Sequence, residues 1–585
     1  MTGNEAIGRG FYEAGGQLAA SYPGSPTVGI LTAAKSYDEI YGEFSINEKV
    51  ALEVGIGASF AGGRTMVSMK HVGLNVAADP FMTFTQTKIN GGFLLVTGDD
   101  PGMASSQNEQ DNRILGKFAH CPVFDPSNSQ EAKDFVKVAL DISETYDCPS
   151  MMRITSRLCH SRSIVSLSER ETVERPDFSG NILDYGMIPP NTFAKQYHMK
   201  DRIEALMEKA NTLEINEYIP SDNKETLIVT SGLMYNNLQE LDLDVAIYKL
   251  GMIYPLPIQT FEQLSKEYGR IIVLEEMMPF IEEELKIHGI SCEGKAYFPF
   301  TGELHTETIE QGLIAAKVIE KSAFEKEEPV ETVARLPMFC SGCPHRPVFD
   351  ILKKTKKKVI GDIGCYSLSV LYPVEVSNSI ISMGASIGIA KGMAKMNKLK
   401  GNTEPIIAVI GDGTFFHSGI TGMINMLHQY EDENITILIL DNGLTAMTGG
   451  QENANTGKYL PAADMKVDIP QLLETAGLPK VQVVDQFEYK EAKKVINDAI
   501  KHQGLSLVMT TRPCALNFKI KEPHFYVDPE ICIGCRTCLK TNCPPILMKS
   551  YDGMDKLKSS IDPTMCVGCS VCSQVCPVGA IKRSE

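Results

Sequence analysis

Eight of the sixteen cysteines in this chain lie between residues 532 and 576, in two runs of similar spacing. The second run, "CVGCSVCSQVCP" (566–577), has three closely spaced thiols and a fourth that precedes a proline. The first run, "CIGCRTCLKTNCPP" (532–545), has four residues instead of three before its last cysteine. Packing alone does not explain so high a density of cysteines, whereas metal binding by their thiolates does.

Two metals fit such runs. Zinc also binds Cys-x2-Cys pairs, but two triplet-plus-one runs, each followed by proline, favour [4Fe–4S] clusters. In two-cluster ferredoxins the fourth cysteine of each run ligates the other cluster. We therefore predict one cluster on Cys532, Cys535, Cys538 and Cys576, and the other on Cys543, Cys566, Cys569 and Cys572.

A second set of chemically capable residues follows two apolar runs upstream. "PIIAVI" leads into Gly411-Asp412-Gly413, and "ITILIL" leads into Asp441-Asn442-Gly443. Both turns are predicted at the carboxyl ends of parallel strands, where open α/β sheets bind ligands. Glycine-rich turns offer backbone N–H groups to phosphate, and carboxylate and amide oxygens hold Mg²⁺.

This arrangement resembles thiamine diphosphate enzymes, and the "TGGQ" ending of "DNGLTAMTGGQ" (441–451) is similar to the 2-oxoacid:ferredoxin oxidoreductase superfamily. The resemblance implies that Mg²⁺ is held by Asp412, Asn442 and the backbone carbonyl of Leu444. It also implies that the cofactor is contacted by Gly411, Gly413, Thr448, Gly449 and Gly450.

The amino-terminal region carries two further signatures. "YPGSPT" (22–27) and "INEKVALEVGIGAS" (46–59) resemble the pyrimidine-domain motifs of that superfamily, which places Glu48 at the catalytic carboxylate position. The alternative is that Glu48 only caps a helix. Ser25 and His71 lie in segments expected to face the substrate, although an isolated histidine is more often structural.

The elements that must position these residues alternate between strands and helices along most of the chain. The predicted fold is α/β, with three doubly wound domains and a small α+β two-cluster ferredoxin-like domain. "KLGMIYPLPIQTFEQL" (249–264) is similar to the transketolase C-terminal-like domain. The predicted segments are 1–175 (pyrimidine-binding), 176–222 (linker with a helix), 223–325 (transketolase C-terminal-like), 335–518 (pyrophosphate- and Mg²⁺-binding) and 522–585 (two-cluster ferredoxin type).

Four cysteines outside the tail carry a separate hypothesis. Related oxidoreductases hold a cluster beside thiamine with a similar set, so a third cluster is predicted as one of two alternatives; in the other, these thiols are buried remnants. The set is Cys340, Cys343, Cys365 and Cys514. The thiols expected to be merely packed are Cys121, Cys148, Cys159 and Cys292.

With "FCSGCPHRP" (339–347), the chain as a whole resembles the large subunits of the indolepyruvate:ferredoxin oxidoreductase family. This implies oxidative decarboxylation of an aryl 2-oxo acid such as indole-3-pyruvate, with coenzyme A as co-substrate and free ferredoxin as electron acceptor. A smaller β subunit and an (αβ)₂ assembly are implied as well. The alternatives are the same chemistry on pyruvate or branched 2-oxo acids, a non-redox decarboxylase or carboligase, and an electron-transfer module with an inactive thiamine site.

Composition excludes some partners. A formal net charge of -17 disfavours nucleic acid and anionic membranes, and the basic "KKTKKK" (353–358) is predicted to be a solvated helix end. The sequence shows neither a signal peptide nor an apolar run of roughly 18 residues. A cytoplasmic location without disulfides is therefore expected.

Overall fold

The computed structural model describes residues 1–176, 178–189, 191–322, 332–333, 337–456 and 466–584. The chain divides into two compact units, Met1–Val330 and Glu331–Glu585. The boundary predicted between residues 325 and 335 lies largely outside the described residues, and the division into five segments stays a prediction. In the described ranges, no helix has the length and apolar character needed to cross a membrane.

The first unit is built from strands and helices in alternation. Its strands are β1 (Leu18–Ser21), β2 (Tyr41–Phe44), β3 (Thr65–Lys70), β4 (Phe93–Asp99), β5 (Val123–Phe124), β6 (Ser150–Thr155), β7 (Glu217–Ile219), β8 (Thr226–Ser231), β9 (Ala246–Leu250), β10 (Met252–Tyr254) and β11 (Arg270–Leu274). Its helices are α1 (Gly3–Glu13), α2 (Val28–Ala34), α3 (Glu48–Phe60), α4 (His71–Phe84), α5 (Asn112–Phe118), α6 (Ser129–Tyr146), α7 (Ser156–His160), α8 (Ile182–Tyr185), α9 (Asn191–Ala210), α10 (Gly232–Gln239), α11 (Ile258–Glu267), α12 (Phe280–Ile287) and α13 (Thr306–Ala315).

Within its described residues, this unit has two sheets. The larger sheet has the order β10-β5-β6-β4-β3-β1-β2 and is parallel except for β10. Its central strand β4 is buried along its whole length, as expected for a sheet covered on both faces. β2 lies on one side of β1 and β3 lies on the other. The order in which the strands are added therefore reverses at β1 and β3, which creates a topological switch point. The smaller sheet has the order β11-β8-β9-β7.

Two short strands differ from the sequence interpretation. β7 lies in the predicted linker, yet it pairs antiparallel with β9. β10 lies within the "KLGMIYPLPIQTFEQL" segment that is similar to the transketolase C-terminal-like domain, yet it pairs with β5 of the larger sheet. Each strand has three residues, too few to show the alternation by which a strand is recognised.

The second unit begins with a five-stranded parallel sheet of order β12-β13-β14-β16-β15 in its described part. The strands are β12 (Lys358–Ile360), β13 (Ile406–Gly411), β14 (Ile435–Asp441), β15 (Gln482–Val484) and β16 (Leu505–Thr511). The helices are α14 (His345–Thr355), α15 (Ala385–Leu399), α16 (Asp412–Thr414), α17 (Ile420–His428), α18 (Ile469–Thr475) and α19 (Tyr489–Lys501). Helix α14 ends within the basic "KKTKKK" stretch, as predicted.

The described part of the cysteine-dense tail forms two antiparallel ribbons, a 3-10 turn at Cys538–Thr541 and one short α-helix. Strand β17 (Phe525–Val527) pairs with β20 (Ile581–Arg583), and β18 (Ile546–Lys549) pairs with β19 (Lys558–Ile561). Helix α20 (Val571–Gln574) lies between the ribbons in sequence. Together with the doubly wound sheets, this confirms the predicted fold class.

A buried charge cluster joins the two sheet regions of the first unit. The Arg113 guanidinium donates to Asp111 Oδ2 at 2.6 Å and to Glu275 Oε2 at 2.7 Å. It also donates to the backbone carbonyl of Glu276 at 2.9 Å. All three ionised side chains are essentially inaccessible to solvent. Sequence reasoning missed this cluster because Glu275 lies 162 residues from Arg113 along the chain.

We predict that Arg113→Met lowers the free energy of unfolding of the first unit by about 3–5 kcal/mol. The reason is that Asp111 and Glu275 would stay buried without their cation. Urea unfolding followed by far-UV circular dichroism measures this in a chain that has no Trp. Arg162→Met, at an exposed arginine, is the control, and a shift no larger than in that control contradicts the prediction.

Candidate functional site

The carboxyl ends of β13 and β14 place Asp412 and Asn442 side by side on one sheet edge. The two strands are paired in parallel up to Gly411. Both side chains are buried, and Asp412 Oδ2 accepts a hydrogen bond from Asn453 Nδ2 at 2.8 Å. Burial and the charge of Asp441 raise the pKa of Asp412 to about 8. Among the described residues no cationic side chain pairs with Asp412, and a buried carboxyl group of this kind fits a site for a divalent cation.

The residues after β14 are fixed by their own side chains. Asn442 Oδ1 accepts from the Leu444 backbone N–H at 3.0 Å, and Asp441 Oδ1 accepts from that of Gly443 at 2.9 Å. These Asx turns hold the buried Leu444 peptide next to Asn442. Side-chain oxygens of Asp412 and Asn442 and a nearby carbonyl are therefore available as the oxygen ligands that Mg²⁺ requires.

The "LTAMTGGQ" loop closes on itself beside this edge. Thr445 and Gln451 exchange backbone hydrogen bonds of 2.8 and 3.2 Å, and Thr448 Oγ1 donates to Gln451 Oε1 at 2.5 Å. Gly449 and Gly450 have φ of 119° and 84°, which other residues rarely adopt. A Cβ on Gly413 would lie 2.6 Å from Thr445 Oγ1, so the loop packs directly onto the Gly-Asp-Gly turn.

The structure adds residues at this edge that the sequence interpretation missed. Asn455 Nδ2 donates to Asp441 Oδ1 at 3.0 Å, and Asn442 Nδ2 lies 3.3 Å from His345 Nε2. Burial lowers the pKa of His345 to about 4, which makes its imidazole neutral and able to accept from Asn442. The sequence signal that could have indicated His345 is the "CPHRP" motif, in which this histidine follows a cysteine and a proline.

One carboxylate on the same edge has a structural task instead. Asp362 accepts backbone hydrogen bonds from Ile363 and Gly384 at 2.8 Å each and from Ser386 at 2.9 Å. Its oxygens therefore anchor the start of α15. This leaves Asp412 as the better cation ligand of the two.

In the first unit, Ser25 and His71 lie at the carboxyl ends of β1 and β3, next to the switch point. Ser25 is half-buried, and a Cβ on the preceding Gly24 would lie 2.9 Å from Lys70 Cβ. His71 is completely buried, and its Nδ1 lies 3.2 Å from the carbonyl of Gly98. Burial lowers its pKa, so the ring is a neutral hydrogen-bonding group there.

Glu48 is the first residue of α3, but it does not cap the helix. Asn47 does so, because its side chain accepts from the Val50 N–H at 2.8 Å. Glu48 is only 5% exposed, and a Cβ on Gly73 would lie 2.7 Å from Glu48 Oε1. The start of α4 thus comes close to this carboxyl group only because residue 73 is glycine.

The tail encloses two small cavities with four cysteines each. The Cys532 cavity is lined by Cys532, Cys535, Cys538 and Cys576. The Cys543 cavity is lined by Cys543, Cys566, Cys569 and Cys572. The grouping is the one expected from the sequence, with Cys543 apart from its neighbours in the first run.

The arrangement of these thiols suits a polynuclear group. In each cavity four thiols line one common space, and four thiolates are the ligand set of a [4Fe–4S] cluster. Apolar side chains such as Ile533 and Val578 also line the Cys532 cavity, and partial burial of this kind suits an iron–sulfur cluster.

The structure also brings together the Cys340 set, defined as Cys340, Cys343, Cys365 and Cys514. Burial, together with the charges of Cys514 and Cys340, raises the pKa of Cys365 to about 11. Burial also raises the pKa of Cys343 to about 12, with contributions from Cys365 and Cys340. The Cys514 N–H donates to the Asn442 carbonyl at 3.1 Å, so the set adjoins the Asp412–Asn442 edge.

Comparison with known families agrees with both sites of the second unit. Residues 362–510 match the family described as "Thiamine pyrophosphate enzyme, C-terminal TPP binding domain". Residues 524–581 match the "4Fe-4S dicluster domain". The first range contains the Asp412–Asn442 edge, and the second contains all eight cysteines of the two tail cavities.

Relatives that align over their full length identify the family of this chain more specifically than the two domain matches do. The chain is 36% identical to indolepyruvate oxidoreductase subunit IorA of Pyrococcus horikoshii over 633 aligned positions, covering 100% of this chain and 96% of the relative. It is 35% identical to the same subunit of Archaeoglobus fulgidus, with 100% and 97% covered. The chain belongs to the indolepyruvate oxidoreductase subunit IorA family. It is therefore part of an oxidoreductase that uses thiamine diphosphate and iron–sulfur chemistry, and the family supports ferredoxin-linked oxidation of a 2-oxo acid.

Two more distant matches complete the comparison. A portion equal to 32% of this IorA-family chain is 26% identical to 2-oxoglutarate synthase subunit KorB of Archaeoglobus fulgidus, covering 72% of that protein. Among solved structures, the 2-oxoglutarate:ferredoxin oxidoreductase from Magnetococcus marinus aligns with a TM-score of 0.45 and 15% identity, covering 55% of this chain and 65% of that one.

Paired alanine substitutions test the cysteine grouping. We predict that C543A/C572A removes one cluster, about four iron atoms, because both residues line the Cys543 cavity. C538A/C543A should remove two clusters, although these cysteines are neighbours in sequence. Iron analysis and electron paramagnetic resonance of anaerobically purified protein measure both losses.

Cys292→Ala, which removes a buried thiol outside both cavities, is the matched control and should leave the iron content unchanged. The reverse pattern, with one cluster lost in C538A/C543A and two in C543A/C572A, would show that each run holds its own cluster.

Proposed function

We propose that this chain is the thiamine diphosphate-binding subunit of an indolepyruvate:ferredoxin oxidoreductase. Indole-3-pyruvate, coenzyme A and two oxidised ferredoxins give indole-3-acetyl-coenzyme A, CO₂, one proton and two reduced ferredoxins. The 2-oxo acid loses two electrons, and each ferredoxin accepts one. The names of the full-length relatives support the aryl substrate, and the chemistry of the second unit supports the redox class.

One observation carries the redox class: the candidate centres of the second unit adjoin one another. The Asn442 carbonyl accepts from the Cys514 N–H, within the Cys340 set. Ser341 and Gly342, between two cysteines of that set, line the Cys543 cavity. A non-redox decarboxylase or carboligase leaves the electrons in its product, so it does not require candidate redox centres next to its thiamine edge.

The residues at the Asp412–Asn442 edge are proposed to bind the cofactor's diphosphate end. Side-chain oxygens of Asp412 and Asn442 and the Leu444 carbonyl would ligate Mg²⁺. The backbone of Gly411 and Gly413 and the Thr448–Gly450 turn would face the diphosphate. The raised pKa of Asp412 without a cation is the expected state of a carboxyl group whose partner is the metal.

Glu48 is proposed to hydrogen-bond a ring nitrogen of the aminopyrimidine and to pass a proton to or from it. Its burial against Gly73 excludes water and fixes its position, as this task requires. His71 and Ser25 are proposed to face the substrate. When bound, thiamine diphosphate supplies the carbon nucleophile and the electron sink for decarboxylation, and the protein supplies position and electrostatics.

The tail cysteines are proposed to hold two [4Fe–4S] clusters with the grouping of the two cavities, and the Cys340 set a third cluster. A smaller β subunit is proposed to complete the enzyme and its coenzyme A site, in an assembly such as (αβ)₂. The similarity of one third of this chain to a separately encoded KorB subunit supports a multi-subunit enzyme.

The test is anaerobic co-expression with the β subunit, followed by a panel of 2-oxo acids assayed for coenzyme A-dependent ferredoxin reduction. We expect a kcat/KM for indole-3-pyruvate and phenylpyruvate at least about tenfold above that for pyruvate, a difference of about 1.4 kcal/mol in transition-state binding. A preference for pyruvate or a branched 2-oxo acid would contradict the aryl substrate.

Two glutamates of α3 provide the matched control for the assay. Glu48→Gln should abolish turnover with iron content and bound thiamine intact, whereas Glu53→Gln, at an exposed position of the same helix, should be active. CO₂ release that persists without cluster reduction would indicate a non-redox decarboxylase. Clusters without any bound thiamine would indicate an electron-transfer module.

A further inference from the structure

A single buried arginine lies between the Cys340 set and the Cys543 cavity. Arg346, in the first turn of α14, is 6% exposed. Its guanidinium donates to the carbonyls of Cys340 at 2.7 Å and Thr541 at 3.2 Å, and also to that of Phe339. Thr541 belongs to the tail, so this side chain joins the sheet region to the cluster-binding region.

The charge of Arg346 has no carboxylate partner in the described part of the chain. None of the ion pairs there includes it, whereas the buried Arg113 has two carboxylates. Each of its three nitrogen atoms donates to a neutral carbonyl, and these carbonyls do not neutralise its charge. Burying an uncompensated cation is costly, so a negative group is expected nearby.

Among the described residues, the ionisable groups that act most strongly on Arg346 are cysteines, whose thiols become anionic when they bind a cluster. Burial lowers the pKa of Arg346, and the charges of Cys543, Cys343, Cys569 and Cys340 oppose that shift. Conversely, Arg346 lowers the pKa of Cys543 and Cys569 against the effect of their burial. Two of the four cysteines of the Cys543 cavity therefore lie within the field of this cation.

The wall between the two sets is thin because residue 342 is glycine. Gly342 has φ of +66°, and a Cβ there would lie 2.1 Å from Val567 Cγ2. Gly342 also lines the Cys543 cavity. The Cys340–Cys343 loop thus lies directly against the Cys543 cavity. Arg346 is hydrogen-bonded to the same loop through the Cys340 carbonyl.

We propose that Arg346 sets the reduction potential of the cluster in the Cys543 cavity, an inference that rests on the proposed function. On reduction that cluster gains one electron and one negative charge, which a buried cation stabilises. The result is a higher potential at this centre than its thiolates alone would give. Electrons released by substrate oxidation are therefore drawn into the tail.

The effect should be selective for one tail cluster. Cys535, in the Cys532 cavity, is exposed, and the lysine charge that acts on it, that of Lys540, is exposed as well. Solvent and salt screen such charges, whereas a buried charge acts through a lower effective dielectric. Arg346 should thus act on the Cys543 cavity far more than on the Cys532 cavity.

The experiment is an anaerobic redox titration of the holoenzyme with dithionite as electron donor, monitored by electron paramagnetic resonance. The signal of the Cys543-cavity cluster is the one lost in C543A/C572A, and the signal of the Cys532-cavity cluster is the further one lost in C538A/C543A. In Arg346→Gln the equilibrium constant for one-electron reduction of the Cys543-cavity cluster should fall about tenfold, which lowers its reduction potential by about 59 mV. The corresponding constant of the Cys532-cavity cluster should change less than about threefold.

Two further variants complete the test. Arg583→Gln removes an exposed arginine of the tail and should shift neither cluster, while Arg346→Lys keeps the charge and should restore most of the potential. If Arg346→Gln loses iron, Arg346→Lys decides: a bound cluster of near wild-type potential supports the proposal. Loss of the cluster there too would mean that the carbonyl contacts, not the charge, are what matters, and would overturn it.

Failures of the two proposals are distinguishable. A wild-type enzyme without iron–sulfur clusters refutes the proposed function itself. Clusters that are present, with an unchanged potential in Arg346→Gln, refute only the role of Arg346.

Discussion

The second unit depends on one constraint: parallel strands end at a common edge. β12, β13, β14 and β16 run in the same direction, so the residues that follow them meet although they are far apart in sequence. Asp412 follows β13 and Asn442 follows β14, while Cys365 and Cys514 follow β12 and β16. The cofactor-type residues and the cysteines are therefore neighbours as a result of topology alone.

Two buried arginines have different partners for their charge. Arg113 is neutralised by Asp111 and Glu275 and holds two sheet regions of the first unit together. Arg346 is bound by carbonyls and faces cysteines, so its charge remains available to act on a neighbouring group. The first arrangement serves stability, and the second, by our proposal, serves electron transfer. In both cases burial makes the charge effective, because little solvent screens it.

The parts that could be predicted from the sequence are those whose signals are local. Cysteine spacing led to the grouping seen in the two cavities, including the separation of Cys543 from its own run. Apolar strands followed by Gly-Asp-Gly and Asp-Asn-Gly predicted the edge that carries Asp412 and Asn442. In each case the chemistry and the spacing lie within a few dozen residues.

The parts that could not be predicted depend on distant contacts. Arg346 reaches Thr541, and Arg113 reaches Glu275, across stretches of chain without any common pattern. β7 and β10 are too short to show a period, and β10 joins a sheet other than the one its neighbours form. Gly342 packs closely against Val567, a residue far away in the chain.

The central claim is that electrons leave the thiamine edge through the Cys543 cavity before they reach the Cys532 cavity. Freeze-quenched electron paramagnetic resonance of Cys543→Ala, mixed with indole-3-pyruvate and coenzyme A, tests it most directly. The account predicts that substrate no longer reduces the Cys532-cavity cluster within a turnover time, although dithionite still does. Reduction of that cluster by substrate at the wild-type rate would contradict it.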